Sequence, residues 1–471
     1  MNSQEHIIML PFLAHGHLIP FLALAKQLQQ RTGYTITIAS TKLNIQYLRS
    51  SISADSDSKI LFAELPFCSS AHDLPPNTES TENLSLDRMI KLLYASQSLE
   101  DPLFRLLNDI IDQEGRPPLC IISDLFFGWA VDVAKSVGTV TVSFNTGGAY
   151  GVLAYVSFCL NLPHRSTDSD EFLVPGFPES VRFHHSQLHP YLRAADGTDM
   201  GSKFMQSQFS RCLESSGWLC NSVEEIEPLG LDLLMKYIRL PVWAIGPLLP
   251  PAALKSSSSS QNTIGASQMM QLAIGLEGSG KSFIWVVRPP LGFDLNGEFR
   301  AEWLPEGFEE RMKQSRRGLI VRNWAPQLDI LSHKSTGAFL SHCGWNSVLE
   351  SLSQGVPIVG WPMAAEQAFN SKMLMEEMGV SVELTRGIQR VIEAKEVKRV
   401  LESAMDEHGK GEDMRKKATE VKELMKLAVR EEGQEKGSSL KAVDEFVRTV
   451  LYKRRAAMMA DRCSKISAKS D

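Results

Sequence analysis

Short apolar runs alternate with longer amphipathic stretches along the first part of the chain. The runs Ile7 to Phe12, Thr35 to Ala39 and Ile60 to Leu65 are rich in β-branched or other apolar residues. Between them, Ile19 to Gln30 and Leu43 to Ser50 carry apolar residues at a helical period. Alternation of this kind is typical of βαβ units around a parallel sheet. The pattern therefore predicts a doubly wound α/β domain.

The alternation continues beyond this first set of elements. A long helical period over Leu86 to Ile111 is followed by the apolar run Leu119 to Ser123 and the strand-like Val140 to Phe144. From Leu162 to Asp199 the pattern gives way to Pro, His, Ser and Asp. Such a stretch predicts a long surface loop region, where substrate contacts are often found.

A domain boundary is predicted where closely spaced prolines are followed by the serine run Ser256 to Ser260. We expect an N-terminal domain over residues 1–249, a linker over 250–262 and a C-terminal domain over 263–453. The charged helical end of the second domain is expected to pack back on the first. Residues 454–471 have no core pattern and are expected to form a disordered tail.

Composition narrows the class of protein. The chain has 471 residues, 43% of them apolar and 22% charged, with a net charge of −6 and no basic stripe, which argues against a nucleic-acid partner. Seven cysteines without a CxxC pair suggest neither a disulfide framework nor a zinc module. No apolar run of about 18 residues or secretory signal pattern is evident. We expect a cytoplasmic monomer without a membrane span.

The most informative stretch runs from Trp324 to Gln367 and reads WAPQLDILSHKSTGAFLSHCGWNSVLESLSQGVPIVGWPMAAEQ. It predicts a strand at Ala338 to Ser341, a glycine-containing turn and a helix at Trp345 to Gln354. A helix that starts at the carboxyl end of a parallel sheet presents free backbone N–H groups and the positive end of its dipole to an anion. With polar side chains in the same turn, this unit could hold a diphosphate without a metal.

This 44-residue stretch resembles the signature box of the plant secondary-product glycosyltransferases, which use UDP-sugars. The resemblance covers most of the chain, including PFLAHGHLIP near the start, SDLFFGW from Ser123 and FIWVVRPP from Phe283. It implies a GT-B fold, in which two doubly wound Rossmann-like domains face a cleft. It also implies a UDP-sugar donor and a small apolar acceptor that carries a hydroxyl group.

The resemblance assigns roles to residues of the box. Trp324 would stack on uracil, and the backbone of Ala325 would bond the base. Gln327 and Glu350 would contact the ribose hydroxyls. The terminal glutamine is found with glucose donors more often than with galactose donors. The remaining donor contacts are His342, Asn346 and Ser347 for the diphosphate, with Gly344 in the same turn, and Trp345, Glu366 and Gln367 for the sugar hydroxyls.

A pair of histidines follows the first predicted strand, in His15-Gly16-His17. Ligands of open α/β folds bind at this end of the sheet. The His-x-His spacing is also found at metal sites, but no cysteine or carboxylate cluster completes one, so we expect no metal and no cofactor besides the UDP-sugar. The resemblance makes His17 the general base and gives His15 no chemistry. An imidazole pKa of about 6.5 leaves much of the ring neutral near pH 7.

Asp124 ends another predicted strand of the same sheet and has two possible roles. It could accept the Nδ1 proton of His17 and stabilise the imidazolium, which is the role the resemblance implies, or it could only cap the following helix. With His17 as base, the acceptor hydroxyl would displace UDP directly, with inversion at the anomeric carbon. The acceptor pocket is expected to use apolar residues suited to a flavonoid, another phenolic or a terpenoid. These are Phe126, Phe127, Phe144 and the region Phe183 to Leu192.

A second phosphate-binding pattern offers a different function. Gly275 to Ser282 matches the P-loop pattern GxxxxGK[ST], so a P-loop NTPase is a formal alternative. A P-loop follows a strand and opens a helix, whereas this segment is predicted to end a helix and to lead into the strand Phe283 to Arg288. We therefore predict an ordinary turn at this position.

The chain departs from the family between the linker and the first C-terminal helix. Relatives have a further apolar strand there, whereas here the serine run passes directly into Gln261. In a doubly wound domain this strand is the first and central one, so its loss predicts a gap between neighbouring strands and one fewer donor near the diphosphate. A catalytically impaired relative that binds nucleotide sugars is therefore the alternative to an active enzyme.

Overall fold

A computed structural model describes residues 4–50, 59–82, 84–250, 263–294, 297–387, 391–431 and 435–467. In these residues the N-terminal half forms a parallel sheet with strand order β3-β2-β1-β4-β5-β8-β9, and a small antiparallel hairpin, β6-β7, lies apart from it. The strands of this half are β1 (His6–Leu10), β2 (Thr35–Ser40), β3 (Ile60–Glu64), β4 (Cys120–Asp124), β5 (Thr141–Asn145), β6 (Glu171–Phe172), β7 (Phe183–His184), β8 (Trp218–Cys220) and β9 (Val242–Ala244).

Helices connect these strands and cover both faces of the sheet. Their bounds are α1 (His15–Thr32), α2 (Lys42–Arg49), α3 (Leu86–Ala95), α4 (Glu100–Glu114), α5 (Ala130–Ser136), α6 (Ala149–Asn161), α7 (Pro190–Ala194), α8 (Met200–Cys212) and α9 (Pro228–Ile238). The single helical period expected from Leu86 to Ile111 is divided into α3 and α4. Pro102 lies in the first turn of α4, where its missing N–H breaks no helical hydrogen bond.

The central strands β1 and β4 are buried along their whole length. Ile7 and Met9 point into an apolar cluster on one face of the sheet, and Ile8 and Leu10 belong to a second cluster on the other face. A parallel sheet covered on both faces has continuous apolar strands, which explains why these segments read as unbroken apolar runs.

The last helix packs against the N-terminal half. Helix α17 (Ser438–Ser467) contributes Val443, Phe446 and Val450 to the cluster around β1. The guanidinium of Arg31 donates to both carboxylate oxygens of Asp444, each at 2.8 Å. Because the helical backbone continues to Ser467, the expectation of a disordered tail from residue 454 was wrong for 454–467. Residues 468–471 lie outside the described part of the chain.

The C-terminal half contains two separate parallel sheets in the described residues, β10-β11 and β12-β13-β14. The sequence predicts a gap between neighbouring strands of this half, and in the described residues β10 and β12 are not paired with each other. The predicted linker, apart from Pro250, lies outside the described residues. The elements are β10 (Phe283–Val287), β11 (Gly318–Arg322), β12 (Phe339–Ser341), β13 (Ile358–Gly360), β14 (Ser381–Glu383), α10 (Ala266–Ser279), α11 (Phe308–Gln314), α12 (Gln327–Ser332), α13 (Trp345–Ser353), α14 (Gln367–Glu376), α15 (Ala394–Ala404) and α16 (Lys410–Ala428).

The P-loop pattern at Gly275 to Ser282 lies at the end of α10. Gly280 takes a left-handed conformation with φ 68°, its N–H bonds the carbonyl of Glu277, and the chain enters β10 at Phe283. The pattern therefore closes a helix instead of opening one, so its glycines serve the turn and the P-loop geometry is absent from this segment.

Candidate active site

His17 and Asp124 are brought together by neighbouring strands. Strands β1 and β4 pair in parallel, with Leu10 opposite Ser123, so their carboxyl ends meet at one edge of the sheet. Asp124 is the last residue of β4. His17 lies in the first turn of α1, which begins at His15, four residues before the predicted helical stretch that starts at Ile19.

The carboxylate of Asp124 makes both of the contacts that the sequence left open. Its Oδ2 lies 2.7 Å from Nδ1 of His17, and its Oδ1 accepts the backbone N–H of Phe126 at 3.1 Å. The hydroxyl of Thr146 lies 3.4 Å from the same Nδ1. The side chain of Asp124 is 2% exposed, whereas that of His17 is 27% exposed. One carboxylate oxygen thus fixes the loop while the other orients the imidazole, and Nε2 is left as the nitrogen that can take a proton.

Opposing effects set the pKa of His17. Burial lowers this pKa, but the negative charge of Asp124, its hydrogen bond and the more distant charge of Glu366 outweigh burial and raise the pKa above its usual value. Asp124 therefore makes the ring a stronger base and stabilises the imidazolium formed on proton transfer.

The replacement Asp124→Asn tests this arrangement through its pH dependence. In the native protein, kcat/KM should rise with pH through the pKa of His17, because only the neutral ring can accept a proton. In Asp124→Asn we expect the midpoint to move to lower pH, since the charge that raises this pKa is gone, and the plateau to fall about 100-fold. Steady-state rates from pH 5 to pH 9 measure both effects. Asp132→Asn, on the exposed side of α5, should leave the profile unchanged, and an unshifted midpoint in Asp124→Asn would contradict the pairing.

The opposite wall of the site is the turn between β12 and α13. Gly344 precedes α13 in an extended conformation, so the first N–H groups of this helix point out of its N-terminus. Burial lowers the pKa of His342 to about 4, so its ring is neutral near pH 7 and can donate a hydrogen bond. A Cβ on Gly344 would lie 2.4 Å from Nε2 of His342, so glycine is required for the ring to lie over the turn.

Gly344→Ala is therefore expected to weaken UDP binding about 10- to 100-fold. The added methyl group displaces the His342 ring, and a lost hydrogen bond to a charged group accounts for a change of this size. Isothermal titration with UDP measures it. Gly265→Ala is a matched control, because Gly265 also precedes a helix in an extended conformation and has open space around its Cβ position. Equal UDP affinity in the two variants would exclude His342 as a diphosphate ligand.

Three turns that carry donor-site residues contain strained backbone. Asn323, Cys343 and Ala365 have φ values of 65°, 63° and 49°, although none is glycine. They directly precede Trp324, Gly344 and Glu366. Left-handed non-glycine residues cost about 1–3 kcal/mol and are concentrated at functional sites. The sequence analysis did not identify this strain, because only the folded backbone shows it.

Several predicted donor contacts are bonded to one another. The amide of Gln327 donates to Oγ of Ser347 at 3.2 Å and to Oε2 of Glu350 at 2.8 Å. The Oε1 of Gln367 accepts the N–H groups of Met363 and Ala364, both at 2.9 Å. Trp324 is 39% exposed at the edge of the site. These bonds hold polar groups in fixed positions around an open space.

Two residues of the box reach across to the N-terminal half. The indole Nε1 of Trp345 donates to the carbonyl of Asn221 at 2.6 Å, and the amide of Asn346 donates to the carbonyl of Gly16 at 3.0 Å. The Trp345 ring is buried in this contact, and its indole N–H is already bonded. Its backbone N–H, at the start of α13, is the group that remains for a ligand.

The predicted acceptor pocket is only partly correct. Phe126, Phe144 and Leu192 line the site, but Phe127 turns into the core, where its ring centre lies 5.3 Å from that of Trp129. Phe183 is also buried, and its ring packs against that of Phe369. Phe127 directly follows Phe126, which lines the cavity, and the sequence alone cannot tell which of two adjacent apolar residues faces a cavity and which faces the core.

One cavity of about 1490 Å³ connects the His17 side with the α13 side. Phe127 and Phe183, both predicted for the acceptor pocket, do not line it. The lining includes His17, Asp124, Phe126, Phe144, Trp324, Ala325, Gln327, His342, Gly344, Trp345, Asn346, Ser347, Glu350, Glu366 and Gln367.

The cavity also contains polar residues that the sequence analysis did not select. Nδ1 of His15 lies 2.5 Å from the carboxylate of Glu82, and the His15 ring stacks on Tyr47 with centres 3.8 Å apart. Thr146 follows β5 at the carboxyl edge of the sheet and lines the cavity. The rule that places ligands at this edge could have identified this residue, since it comes directly after a strand.

The described residues also bear on metal binding and on membrane insertion. In the described part of the chain, no three His, Cys, Asp or Glu side chains are grouped closely enough to hold a metal ion. Among the same residues, none of the helices combines the length and the apolar character needed to cross a bilayer.

Comparisons with known proteins agree with this geometry. A family model described as "Glycosyltransferase, N-terminal domain" matches residues 4–250, and one described as "UDP-glucoronosyl and UDP-glucosyl transferase" matches residues 256–417. UDP-glycosyltransferase 92A1 of Arabidopsis thaliana is 42% identical over 479 aligned positions, which cover 95% of this chain and 97% of that protein. The chain belongs to the plant UDP-glycosyltransferases.

Further relatives of this UDP-glycosyltransferase show its fold. Crocetin glucosyltransferase 3 of Crocus sativus is 41% identical, over 87% of this chain and 93% of that protein. UGT73P12 of Glycyrrhiza uralensis, solved with glycyrrhetinic acid 3-O-monoglucuronide, superposes with a TM-score of 0.83 at 25% identity, covering 99% and 100% of the two chains. UGT71G1 of Medicago truncatula, solved with UDP-glucose, gives 0.77 at 26% identity, covering 96% and 99%. The predicted GT-B fold and glycosyltransferase class are confirmed.

The alignment with the Arabidopsis relative contains positions at which this chain has no residue. It has 479 positions, but 95% of 471 residues supplies only about 447, so about 32 positions lack a residue of this UDP-glycosyltransferase. A strand and its flanking turns need fewer residues than this. This number of positions is large enough to include the strand that the sequence analysis expects to be missing before α10.

Proposed function

We propose that this UDP-glycosyltransferase transfers a sugar from a UDP-sugar to a hydroxyl group of a small apolar plant metabolite, with His17 as general base and inversion at the anomeric carbon. The observation that carries the proposal is the His17–Asp124 pair, which faces the N-terminus of α13 across one cavity. A proton acceptor and an anion site on opposite walls are the two groups that such a displacement needs.

The reaction begins at Nε2 of His17, which removes the proton of the acceptor hydroxyl. Asp124 stabilises the resulting imidazolium through Nδ1. The acceptor oxygen then bonds the anomeric carbon from the face opposite the diphosphate, and the bond between that carbon and the diphosphate oxygen breaks. The N–H groups at the start of α13 and the neutral His342 ring stabilise the negative charge of the departing UDP.

We propose glucose as the sugar and UDP as the nucleotide. The exposed ring of Trp324 offers a stacking surface for uracil, and the Gln327–Glu350 pair offers polar groups to ribose. The Oε1 of Gln367 accepts two backbone N–H groups, which fixes the orientation of its side-chain amide. The amide nitrogen, on the other side of the amide, is the group that we propose contacts the sugar. The crocetin and scopoletin enzymes among the relatives are glucosyltransferases by name.

The acceptor side favours a largely apolar molecule. Phe12, Phe126 and Phe144 line this part of the cavity, and the rings of Phe12 and Phe126 lie 5.4 Å and 5.6 Å from that of His17. Aromatic and aliphatic walls suit flavonoids, other phenolics and terpenoids. The hydroxyl to be glycosylated would then be the polar group that reaches His17.

The divided C-terminal sheet favours a second candidate function. In a protein that binds UDP-sugars without efficient transfer, the diphosphate-binding turn between β12 and α13 would be present but not held rigidly enough for catalysis. The unpaired strands β10 and β12 line the same cavity as the turn at Gly344, so the gap between them bears on the diphosphate site. Loss of position by about 1 Å at a reacting centre is enough to reduce rates about 100-fold.

Measured UDP release separates the two candidates. The purified protein is incubated with UDP-glucose and a panel of flavonols, simple phenolics and terpenoid alcohols. Acceptor-dependent UDP release supports the transferase, whereas saturable UDP binding without release supports the impaired binder. Absence of both UDP binding and UDP release would contradict both candidates.

A further inference from the structure

The cavity extends from the donor side into the space between β10 and β12. Its lining includes every residue of β10 and, on the other side, the stretch Gly337 to Ser341, which contains β12. In the described residues, β10 pairs only with β11, and β12 pairs only with β13. We call the space bounded by β10 and by Ala338 to Ser341 the strand slot.

The hydrogen-bond register shows which backbone groups face the strand slot from β10. The N–H of Phe283 bonds the carbonyl of Arg317, and the carbonyl of Val287 accepts the N–H of Asn323, so residues 283, 285 and 287 face β11. In a parallel pair only alternate residues bond a given neighbour. The N–H and C=O groups of Ile284 and Val286 therefore point into the slot.

The facing strand has the same arrangement. The N–H of Phe339 bonds the carbonyl of Pro357, and the carbonyl of Ser341 accepts the N–H of Trp361, so these two residues face β13. By alternation, the backbone groups of Ala338 and Leu340 point into the slot. Two strand edges thus present donors and acceptors toward one space, which an inserted strand could satisfy on both of its sides.

Side-chain exposure and charge indicate what kind of segment would fit. Ile284 and Val286 are 48% and 39% exposed, although strands of a parallel sheet are normally covered on both faces. A run of β-branched residues would cover them. Lys281 and Arg317, at the starts of β10 and β11, also line the cavity and would attract acidic residues at the N-terminal flank of a strand that runs parallel to β10.

We propose that the strand slot binds an extended apolar segment of another polypeptide, with an acidic N-terminal flank, by β-strand addition between β10 and β12. The bound segment would form ladder hydrogen bonds with Ile284 and Val286 on one side and with Ala338 and Leu340 on the other. It would cover the exposed side chains of β10 and close the cavity behind the donor site.

Fluorescence anisotropy with a synthetic peptide tests this proposal. The probe has two glutamates, then five alternating valines and isoleucines to match β10, then a fluorescein-labelled lysine. We expect saturable binding to the native chain. The same peptide with N-methyl groups on alternate residues keeps its side chains but loses ladder donors, so its binding should weaken about tenfold or more. Equal binding of both peptides would show nonspecific apolar adsorption and overturn the proposal, as would no binding of the first.

A matched pair of proline variants locates the site on the chain. Ile284→Pro removes a slot-facing N–H and leaves the β10–β11 ladder intact, so we expect it to weaken peptide binding about tenfold or more. Ile320→Pro removes an N–H from the opposite edge of the same sheet and should change binding less than about twofold. Equal losses in both would overturn the proposal. Melting curves check that both variants fold, and the N-methylated peptide tests the native chain independently of them.

A second copy of this chain could also occupy the slot. Size-exclusion chromatography without peptide distinguishes this case. A dimer that Ile284→Pro abolishes and Ile320→Pro retains would place the occupant in a second copy and overturn the proposal of another polypeptide. A monomer that binds the peptide supports the proposal.

Discussion

His17→Ala is expected to lower kcat about 10²- to 10⁴-fold while the affinity for UDP stays the same. The imidazole contributes to proton removal in the transition state, and general base catalysis has this magnitude. Its Nδ1 is held by Asp124 of the N-terminal half, whereas the groups that would bind the diphosphate belong to the α13 turn of the C-terminal half. Binding and catalysis should therefore separate in this variant.

Turnover is followed by UDP release with a saturating donor, and affinity by isothermal titration with UDP. His408→Ala is the matched control, because His408 is exposed and does not line the cavity. It should retain native turnover. If His17→Ala kept more than about a tenth of the native kcat, another group would have to be the base.

Restoring a strand is expected to have the second large effect. We expect insertion of a strand-forming segment after Lys255 to raise the melting temperature by about 6–12 °C, which corresponds to about 3 kcal/mol in a domain of this size. The inserted strand would pair with the edges of β10 and β12 and cover Ile284 and Val286. It would also hold the turn at Gly344 more rigidly, so UDP should bind about tenfold more tightly.

Differential scanning calorimetry and UDP titration measure these changes. The control carries the same insert with two prolines in the strand core, which cannot form a ladder on both sides. An unchanged melting temperature with the unbroken insert would show that the two sheets need no strand between them. An equal rise in melting temperature with the proline insert would show that the added length, and not strand pairing, causes the rise.

Most of the fold followed from apolar periodicity. The strands β1, β2, β4 and β5 were predicted within one or two residues, because they are covered on both faces and consist mainly of apolar and β-branched residues. The break between α3 and α4 could not be predicted, because the helical period that begins at Leu86 continues through it without a change in its apolar residues. The helical end of α17 was missed because charged residues on a solvated helix resemble those of a tail.

The sequence predicts which residues belong to the candidate site better than it predicts where their side chains point. A long motif with a fixed register identifies which residues share a turn, and every residue of the motif that was assigned a role lines the cavity. Side-chain direction depends on contacts between the two halves. Trp345 and Asn346 bond carbonyls of Asn221 and Gly16, which lie far away in sequence. Such cross-domain contacts follow from the packing of the folded halves and leave no local sequence pattern.

The central claim is that one cavity places the nucleotide sugar at the α13 turn and its anomeric carbon opposite His17. A crystal structure of the protein with UDP-glucose tests it most directly. We predict uracil against Trp324, diphosphate oxygens at the first N–H groups of α13 and the anomeric carbon facing Nε2 of His17, with room for an acceptor hydroxyl between them. A nucleotide bound elsewhere, or a sugar turned away from His17, would contradict the account.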